Sequence, residues 1–185
     1  MDVKTLCLGI LSRGDATGYE IRKQVAEGPF SHFFEAGYGS IYPALGKLLE
    51  SGLVACREQS QDSRPDKKVY SISTNGRLAL IDALSAPAAP DRVRSQFLFT
   101  TFFAHLLSAR QVERLIAERL AWYCESVERM ERCSETVCTA ERPAGERFTH
   151  GLGLTVYKAA AQYLEDHGHE LVAEALKLER MDAAD

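Results

Sequence analysis

The order of four segments between residues 18 and 72 constrains the fold of this 185-residue chain more than any other feature. One helix-like segment begins at the Thr-x-x-Glu pattern of residues 17–20, which is typical of a capping box. Another follows Ser40, which is predicted to cap it, and its apolar residues recur at helical spacing. Gly52 lies where this helix needs a left-handed closing residue. Two strand-like segments, 53–59 and 68–72, come next and are joined by a polar turn. Two helices followed by a hairpin is the element order of a winged helix-turn-helix.

The second helix of this pair has an apolar back and a polar front. Ser40, Pro43 and Lys47 are spaced i, i+3 and i+7, so they share one face, and Tyr42 lies at its edge. A hydroxyl and a lysine on an outward face suit entry into the major groove of DNA. An ordinary amphipathic surface helix explains the same pattern, so this helix alone leaves both interpretations open. Four apolar residues are expected to face inward: Ile41, Leu45, Leu48 and Leu49.

The predicted hairpin carries a basic cluster near its tip. Arg64, Lys67 and Lys68 place three cations within five residues, an arrangement that suits DNA phosphates or a minor groove. Asp62 and Asp66 dilute the local field, and a solvated charged loop is the competing interpretation. The order and separation of the helix and the hairpin favour DNA binding over either feature taken alone.

Several separated motifs within residues 1–85 resemble those of the PadR family of bacterial transcriptional regulators. They are Gly18-Tyr-Glu-Ile21, Gly39-Ser-Ile-Tyr-Pro-Ala-Leu45, Gly52-Leu-Val54, Arg64-Pro65 through Val69-Tyr70, and Thr74-Asn-Gly-Arg77. The resemblance implies a homodimer that represses transcription until an effector or a signal releases it. It also implies DNA-contacting positions on the recognition helix and on the wing: Ser40, Tyr42, Pro43, Lys47, Arg64, Lys67 and Lys68.

Composition along the chain predicts two domains and a mainly α fold. A winged helix-turn-helix at 1–85 is expected to end at the Pro-rich linker 86–91, and helices are expected to fill 92–185. The first of these, over 92–107, is rich in aromatic residues and resembles the carboxy-terminal domain of long-form PadR proteins and virulence-gene activators. A second capping box at 108–111 opens a long helix.

That long helix contains a seam with a 3.5-residue period, which is typical of a coiled coil. A partner helix must cover such a seam in water, either in a second copy of the chain or in the helix predicted after Gly151. We expect a dimer whose interface includes both helices. The seam residues assigned to dimerisation are Ile116, Leu120, Tyr123, Val127, Met130 and Val137, with Ser134 as an interruption.

Charge and composition limit the possible partners and locations. Residues 1–85 hold ten basic and ten acidic residues, so any charge that contacts DNA must be local. No apolar run reaches the roughly 20 residues of a membrane span, and the amino terminus lacks the pattern of an export signal. We therefore expect a cytoplasmic protein with no membrane partner, whose five cysteines are reduced.

Other functional classes find less support. The chain has no nucleophile elbow or phosphate loop, so we expect no enzyme and no cofactor. His167 and His169 point to different faces of a helix, so we expect no metal site. Phe99, Phe103 and Trp122 are candidates for an effector pocket, although an ordinary aromatic core explains them too.

These observations predict a sequence-specific, DNA-binding transcriptional regulator, with repression as the expected mode. Its expected partners are a pseudo-palindromic operator, a second copy of the chain and a small-molecule or stress signal. The competing prediction is a helical interaction or adaptor module that retains the fold but has lost DNA binding.

Overall fold

The computed structural model describes residues 2–28, 30, 39–61, 64–91, 93–137 and 141–182, without the side chains of residues 60, 61, 64–66, 134–137 and 182. The chain divides into two compact units, Met1–Pro90 and Asp91–Asp185. The first contains α1 (Val3–Leu11), β1 (Ala16–Thr17), α2 (Gly18–Ala26), α3 (Ile41–Glu50), β2 (Val54–Gln61), β3 (Arg64–Ile72) and α4 (Thr74–Ser85). The second contains α5 (Gln96–Phe102), a 3-10 turn (Ala104–Leu106), α6 (Ala109–Val137) and α7 (Ala144–Asp182). The predicted fold class, a winged helix-turn-helix followed by helices, is confirmed.

The core of the first unit lies where α1, α2 and α3 meet. Ile10, Ile21 and Leu45 are almost fully buried there, because each helix turns its apolar stripe inward. The prediction for Leu49 was wrong: this side chain is 43% exposed. Other buried members of the core are Leu6, Cys7, Leu8, Leu11, Val25, Ile41, Ala44, Leu48, Val54 and Leu80.

Local signals fix the ends of these helices. The predicted capping box is present: Thr17 Oγ1 accepts from the Glu20 N–H at 3.2 Å, and Glu20 Oε2 accepts from the Thr17 N–H at 2.8 Å. Gly52 closes α3 with a left-handed φ of 66°, as predicted. The cap of α4 is Ser73, because Ser73 Oγ accepts a hydrogen bond from the Gly76 N–H.

The three strands form an antiparallel sheet in the order β1-β3-β2. β1 was not predicted, and it pairs Thr17 with Val69. The hairpin strands extend nearer to the tip than the sequence suggested, because Pro65 and Asp66 belong to β3 instead of the turn. A bulge interrupts the register between Gln59 and Gln61. The hairpin is therefore a longer wing than predicted.

The second unit is a long helical hairpin with a short aromatic helix at its base. The prediction of a single helix over 92–107 was wrong, because α5 is only seven residues long and a 3-10 turn follows it. The second capping box is present between Ser108 and Gln111. α6 and α7 run antiparallel, because residues near the start of α6 contact the end of α7 and Met130 lies beside Gly153. The unit's core contains Phe97, Ala104, Ala109, Val112, Ile116 and Ala175.

Candidate nucleic-acid interface

The outward surface of α3 consists of side chains that point away from its buried apolar back. Tyr42, Pro43, Gly46 and Lys47 are all exposed, and we call these four residues the reading face. They lie at i, i+1, i+4 and i+5, so they form one stripe along the helix. No atom lies within 4 Å of where a Cβ on Gly46 would stand. The stripe thus has a bare segment where a DNA backbone or base edge could approach closely.

Tyr42 is positioned by the first turn of α2. A Cβ placed on Gly18 would lie 2.6 Å from Cε1 of Tyr42, so the aromatic ring rests directly against that glycine. Gly18 begins α2 immediately after its capping residue Thr17, and the capping box fixes the backbone at this point. The Tyr42 side chain is still 52% exposed. One flank of the ring is therefore held by α2 while much of it remains accessible.

Ser40 occupies the N-cap position of α3 but does not cap the helix as predicted. Its backbone is helical, with φ −92° and ψ −17°, and its side chain accepts no capping hydrogen bond. Capping serines normally have extended backbone, because that geometry directs the hydroxyl toward the first N–H groups. Ser40 is half-buried at the amino end of the reading face.

Two of the three cations predicted to lie on the wing have exposed side chains. Lys67 and Lys68 are exposed on β3, opposite Gln59 and Glu58 respectively. Successive residues of a strand point to opposite faces, so these two lysines project from opposite sides of the hairpin. The backbone of Arg64 belongs to β3 at the tip, whereas its side chain lies outside the described residues.

Sequence reasoning missed Arg57, a further cation on the hairpin strands. Its guanidinium lies 3.1 Å from the carboxylate of Asp15, which directly precedes β1. Arg57 and Thr17 both pair across the sheet with Val69, so the two residues flank the central strand. The residues of this ion pair are distant in the chain, and only the strand register reveals it.

One acidic group on this side of the sheet, Glu20, is stabilised in its charged form. The pKa of Glu20 is lowered first by the backbone hydrogen bond from Thr17, then by the Thr17 hydroxyl, and also by the positive charge of Lys67. On the opposite face, burial raises the pKa of Tyr70, and a hydrogen bond with Cys56 acts in the same direction. This surface therefore combines two lysines and an arginine with the carboxylates of Asp15, Glu20 and Glu58.

In the second unit, the predicted seam faces a helix of the same chain at several positions. A Cβ on Gly168 would lie 2.6 Å from Cγ2 of Ile116, and one on Gly153 would lie 3.2 Å from Cε of Met130. The seam at these points is thus covered by α7, which was the alternative partner considered from the sequence. Leu120 and Val127 are half-buried, and the side chain of Val137 lies outside the described residues.

Aromatic rings cluster around one arginine in this unit. The Arg119 guanidinium lies 4.9 Å from the centre of the Phe97 ring and 5.2 Å from that of Trp122. Trp122 also contacts Tyr157, whose pKa is raised mainly by burial. Sequence reasoning missed Arg119, although its position three residues before Trp122 could have indicated the contact.

The three effector-pocket candidates occupy two neighbouring groups in the unit. Phe99 and Phe103 form an edge-to-face pair, with ring centres 5.2 Å apart. Trp122 belongs to the group around Arg119 instead. The Phe99 side chain is 68% exposed and that of Trp122 is 42% exposed. These rings therefore offer accessible aromatic surface to a ligand or to another protein surface.

The described residues lack the features of a metal site and of a membrane span. Within those residues, no group of three or more His, Cys, Asp or Glu side chains is arranged to hold a metal ion. None of the helices in the same residues is both long enough and apolar enough to span a membrane. His167 instead contacts Glu170 at 2.9 Å, and its ring lies 4.5 Å from that of Tyr163, centre to centre, at a tilt of 39°.

The chain is similar to two bacterial transcriptional regulators. It is 29% identical over 119 residues to the "Negative transcriptional regulator PadR" of Bacillus subtilis, a match that spans 64% of this chain and 65% of that protein. A match to the "Probable transcriptional regulator Rv1176c" of Mycobacterium tuberculosis has 32% identity over 77 residues, 42% of this chain and 40% of that protein. The chain thus spans less than two thirds of the length of these curated relatives.

Solved structures match over nearly the whole chain. Bacillus subtilis PadR in complex with operator DNA has 25% identity and a TM-score of 0.77, covering 91% of this chain and 98% of that one. The smu.1604c protein of Streptococcus mutans has 32% identity and a TM-score of 0.81, covering 90% and 98%. Bacillus subtilis PadR in complex with p-coumaric acid has 24% identity and a TM-score of 0.69, covering 91% and 98%, and at that identity shows the fold alone.

A family model described as "Transcriptional regulator PadR-like family" matches residues 7–82, which contain the reading face and the wing. Residues 7–82 therefore form a domain of the PadR-like family of transcriptional regulators, and the operator-bound structure of Bacillus subtilis PadR matches 91% of the chain.

Proposed function

We propose that this protein binds operator DNA by inserting the reading face of α3 into the major groove. The observation that carries the proposal is the geometry of α3: Ile41, Leu45 and Leu48 anchor one side, while Tyr42 and Lys47 are exposed on the other. A helix of this kind, followed by a basic wing, is the arrangement with which winged helix-turn-helix proteins read DNA. The operator complex of Bacillus subtilis PadR supports the proposal.

The contacts divide into two roles. Ser40 and Tyr42, at the amino end of α3, are assigned to base edges, since the first residues of a recognition helix usually reach them. Lys47, Lys67 and Lys68 are assigned to phosphates, because a flexible ammonium group contacts phosphate oxygens without requiring a particular base. Arg64 is assigned a DNA contact at the tip of the wing because of its sequence position. Pro43 is assigned the role of shaping the reading face.

The operator is best matched by a two-fold dimer. Two recognition helices fit one face of DNA when their half-sites lie one helical turn, about 34–36 Å, apart. Exposed aromatic side chains of the second unit supply apolar surface for a second copy, with Phe102 at 79% and Phe148 at 71% exposure. Because α7 already covers Ile116 and Met130, these exposed rings add to the seam residues as candidates for the dimer contact.

Repression released by a small molecule completes the proposal. The negative regulator of Bacillus subtilis supports repression, and its p-coumaric acid complex directs attention to aromatic ligands. The rings of Phe99, Phe103 and Trp122 are accessible in the unit proposed to hold the dimer together. A ligand would release DNA if it favoured a dimer in which the distance between the two recognition helices does not fit the operator. Operator DNA would then weaken ligand binding by the same factor by which the ligand weakens operator binding. We also propose that the protein is cytoplasmic, since it would then have access to the chromosome.

The test is to select duplexes from a random DNA pool with the purified protein and to measure their affinity against salt. We expect an enriched pseudo-palindrome, and Lys67→Ala should weaken binding to selected and random duplexes alike. Its salt slope should fall by about 0.9 per lost phosphate contact and subunit. Lys177→Ala, which removes an exposed cation from α7, is the matched control.

The competing adaptor function predicts a different result from the same experiment. A correctly folded protein that enriches no sequence, and that binds no duplex even at low salt, would support the adaptor and contradict DNA recognition.

A further inference from the structure

Every described cation on the two wing strands has a carboxylate as its neighbour. Arg57 forms an ion pair with Asp15 at 3.1 Å. Lys68 pairs directly with Glu58 across the β2–β3 ladder, where opposite side chains are about 5 Å apart at their Cβ atoms. The third cation, Lys67, acts electrostatically on Glu20, which lies in the first turn of α2.

The geometry around Lys67 brings a fixed carboxylate to the same side of the sheet. Thr17 pairs with Val69, and Lys67 lies two residues before Val69, so Lys67 and Val69 share a face. Glu20 is held at this edge by two hydrogen bonds of 2.8 Å, one from the Thr17 N–H and one from its hydroxyl. The positive charge of Lys67 helps to lower the pKa of Glu20, which agrees with their proximity.

Such neighbours weaken attraction to DNA. An acid beside a phosphate-binding cation cancels much of its field at the distance of the phosphate, and it repels the phosphate directly. Exposed charge pairs of this kind add little to protein stability, so stability alone does not account for a carboxylate beside each of three cations around one small hairpin. Of the three, Arg57 and Asp15 form an ion pair. The equal numbers of basic and acidic residues in 1–85 reflect the same balance.

We propose that Asp15, Glu20 and Glu58 limit the affinity of the wing for DNA phosphates, so that tight binding depends on the sequence-reading contacts of α3. The inference rests on the proposed DNA-binding function and adds residues that oppose binding. Removing their charge should strengthen binding to DNA of any sequence, which is the reverse of the usual effect of an interface mutation.

Glu20 permits the sharpest test, because its two roles can be separated. Glu20→Gln removes the charge but keeps the capping box, since glutamine serves at that position as well as glutamate. Glu58→Gln and Asp15→Asn remove the other two charges. Asp82→Asn, on the exposed surface of α4, is the matched control, since it changes the net charge of the same unit equally.

The experiment measures fluorescence anisotropy of a labelled random-sequence duplex of about 30 base pairs, long enough for two half-sites one turn apart, over a range of salt concentrations. Each wing variant should bind about three- to fivefold more tightly than wild type, with a steeper dependence on salt. Asp82→Asn should change affinity far less. Circular dichroism and thermal unfolding verify that each variant folds.

A double-mutant cycle then identifies the pairing. In a Lys67→Ala background, Glu20→Gln should lose most of its gain, because the cation that it restrained is absent. An undiminished gain there, an equal gain in Asp82→Asn, or unchanged affinity in all three wing variants would overturn the inference while leaving DNA binding intact. A wild-type protein that binds neither random nor selected duplexes would overturn the proposed function together with this inference.

Discussion

Glu179, near the end of α7, accepts a hydrogen bond of 2.9 Å from the backbone N–H of Ala109, the first residue of α6. The first four N–H groups of a helix have no partner within it, so α7 supplies one from its own side chain. A carboxylate at a helix amino terminus is also favoured by the helix dipole. The contact joins the two ends of the long helical hairpin and fixes their register.

Glu179→Ala should therefore destabilise the second unit by about 1–2 kcal/mol, the usual range for a lost cap or a charged hydrogen bond. Urea unfolding followed by the fluorescence of Trp122, the single tryptophan, reports on this unit. Glu174→Ala, on an exposed part of the same helix, is the control and should have a much smaller effect. Equal unfolding midpoints for the two variants would contradict a capping role.

A substitution at Gly168 tests whether the α6 seam packs inside the chain. Gly168→Ala would force a methyl group to 2.6 Å from Ile116 and should cost about 1–3 kcal/mol of stability. Gly151→Ala, where no atom lies within 4 Å of the new Cβ, should be neutral or stabilising. Ile116→Ala should reduce the penalty of Gly168→Ala. Similar stability of the two glycine variants in urea unfolding would contradict this packing.

Gly18→Ala should weaken operator binding without altering the wing. Its methyl group would displace the Tyr42 ring from its position against α2, and loss of one base-edge contact corresponds to about tenfold in affinity. Gly9→Ala is the control, because a Cβ at this position of α1 meets nothing within 4 Å. Affinity is measured by anisotropy with the selected duplex. Equal binding by both variants would show that the placement of Tyr42 is unimportant.

Cysteine reactivity should follow burial. Burial raises the pKa of Cys7 to about 11, so its thiol stays protonated at pH 8, whereas Cys133 is exposed. Iodoacetamide at pH 8 should modify Cys133 and spare Cys7 in the native protein, as read by mass spectrometry. The stability associated with the protonated Cys7 is present below pH 9 and is lost as the pH rises toward 11. Equal labelling of both cysteines in native protein would contradict the buried core.

Local sequence signals predicted the elements that position the reading face. The Thr17–Glu20 capping box and the left-handed Gly52 are interactions between near neighbours, so their spacing alone identifies them. The exposure of Leu49 was missed because its periodicity matches the buried stripe, and only the packing around α3 decides which edge of that stripe faces solvent. Similarly, the choice of Ser73 as the cap of α4 depends on tertiary packing, since Gly76 lies against the Leu53 carbonyl.

Interactions between distant residues could not be predicted. The ion pair between Arg57 and Asp15 follows from the strand order and register, neither of which the sequence specifies. A 3.5-residue seam indicates that a helix needs a partner but carries no information on which chain supplies it. The contact between Ile116 and Gly168 identifies a partner for part of the seam within the same chain.

Entry of the α3 reading face into the major groove is tested most directly by methylation protection of guanine N7, an atom that lies in that groove. With the selected operator, wild-type protein should protect guanines in two half-sites about 10 base pairs apart, centre to centre. At concentrations where Tyr42→Ala still occupies the duplex, that protection should weaken at the base pairs contacted by the amino end of α3. Full occupancy by wild-type protein with every guanine N7 as reactive as in free DNA would contradict major-groove reading by α3.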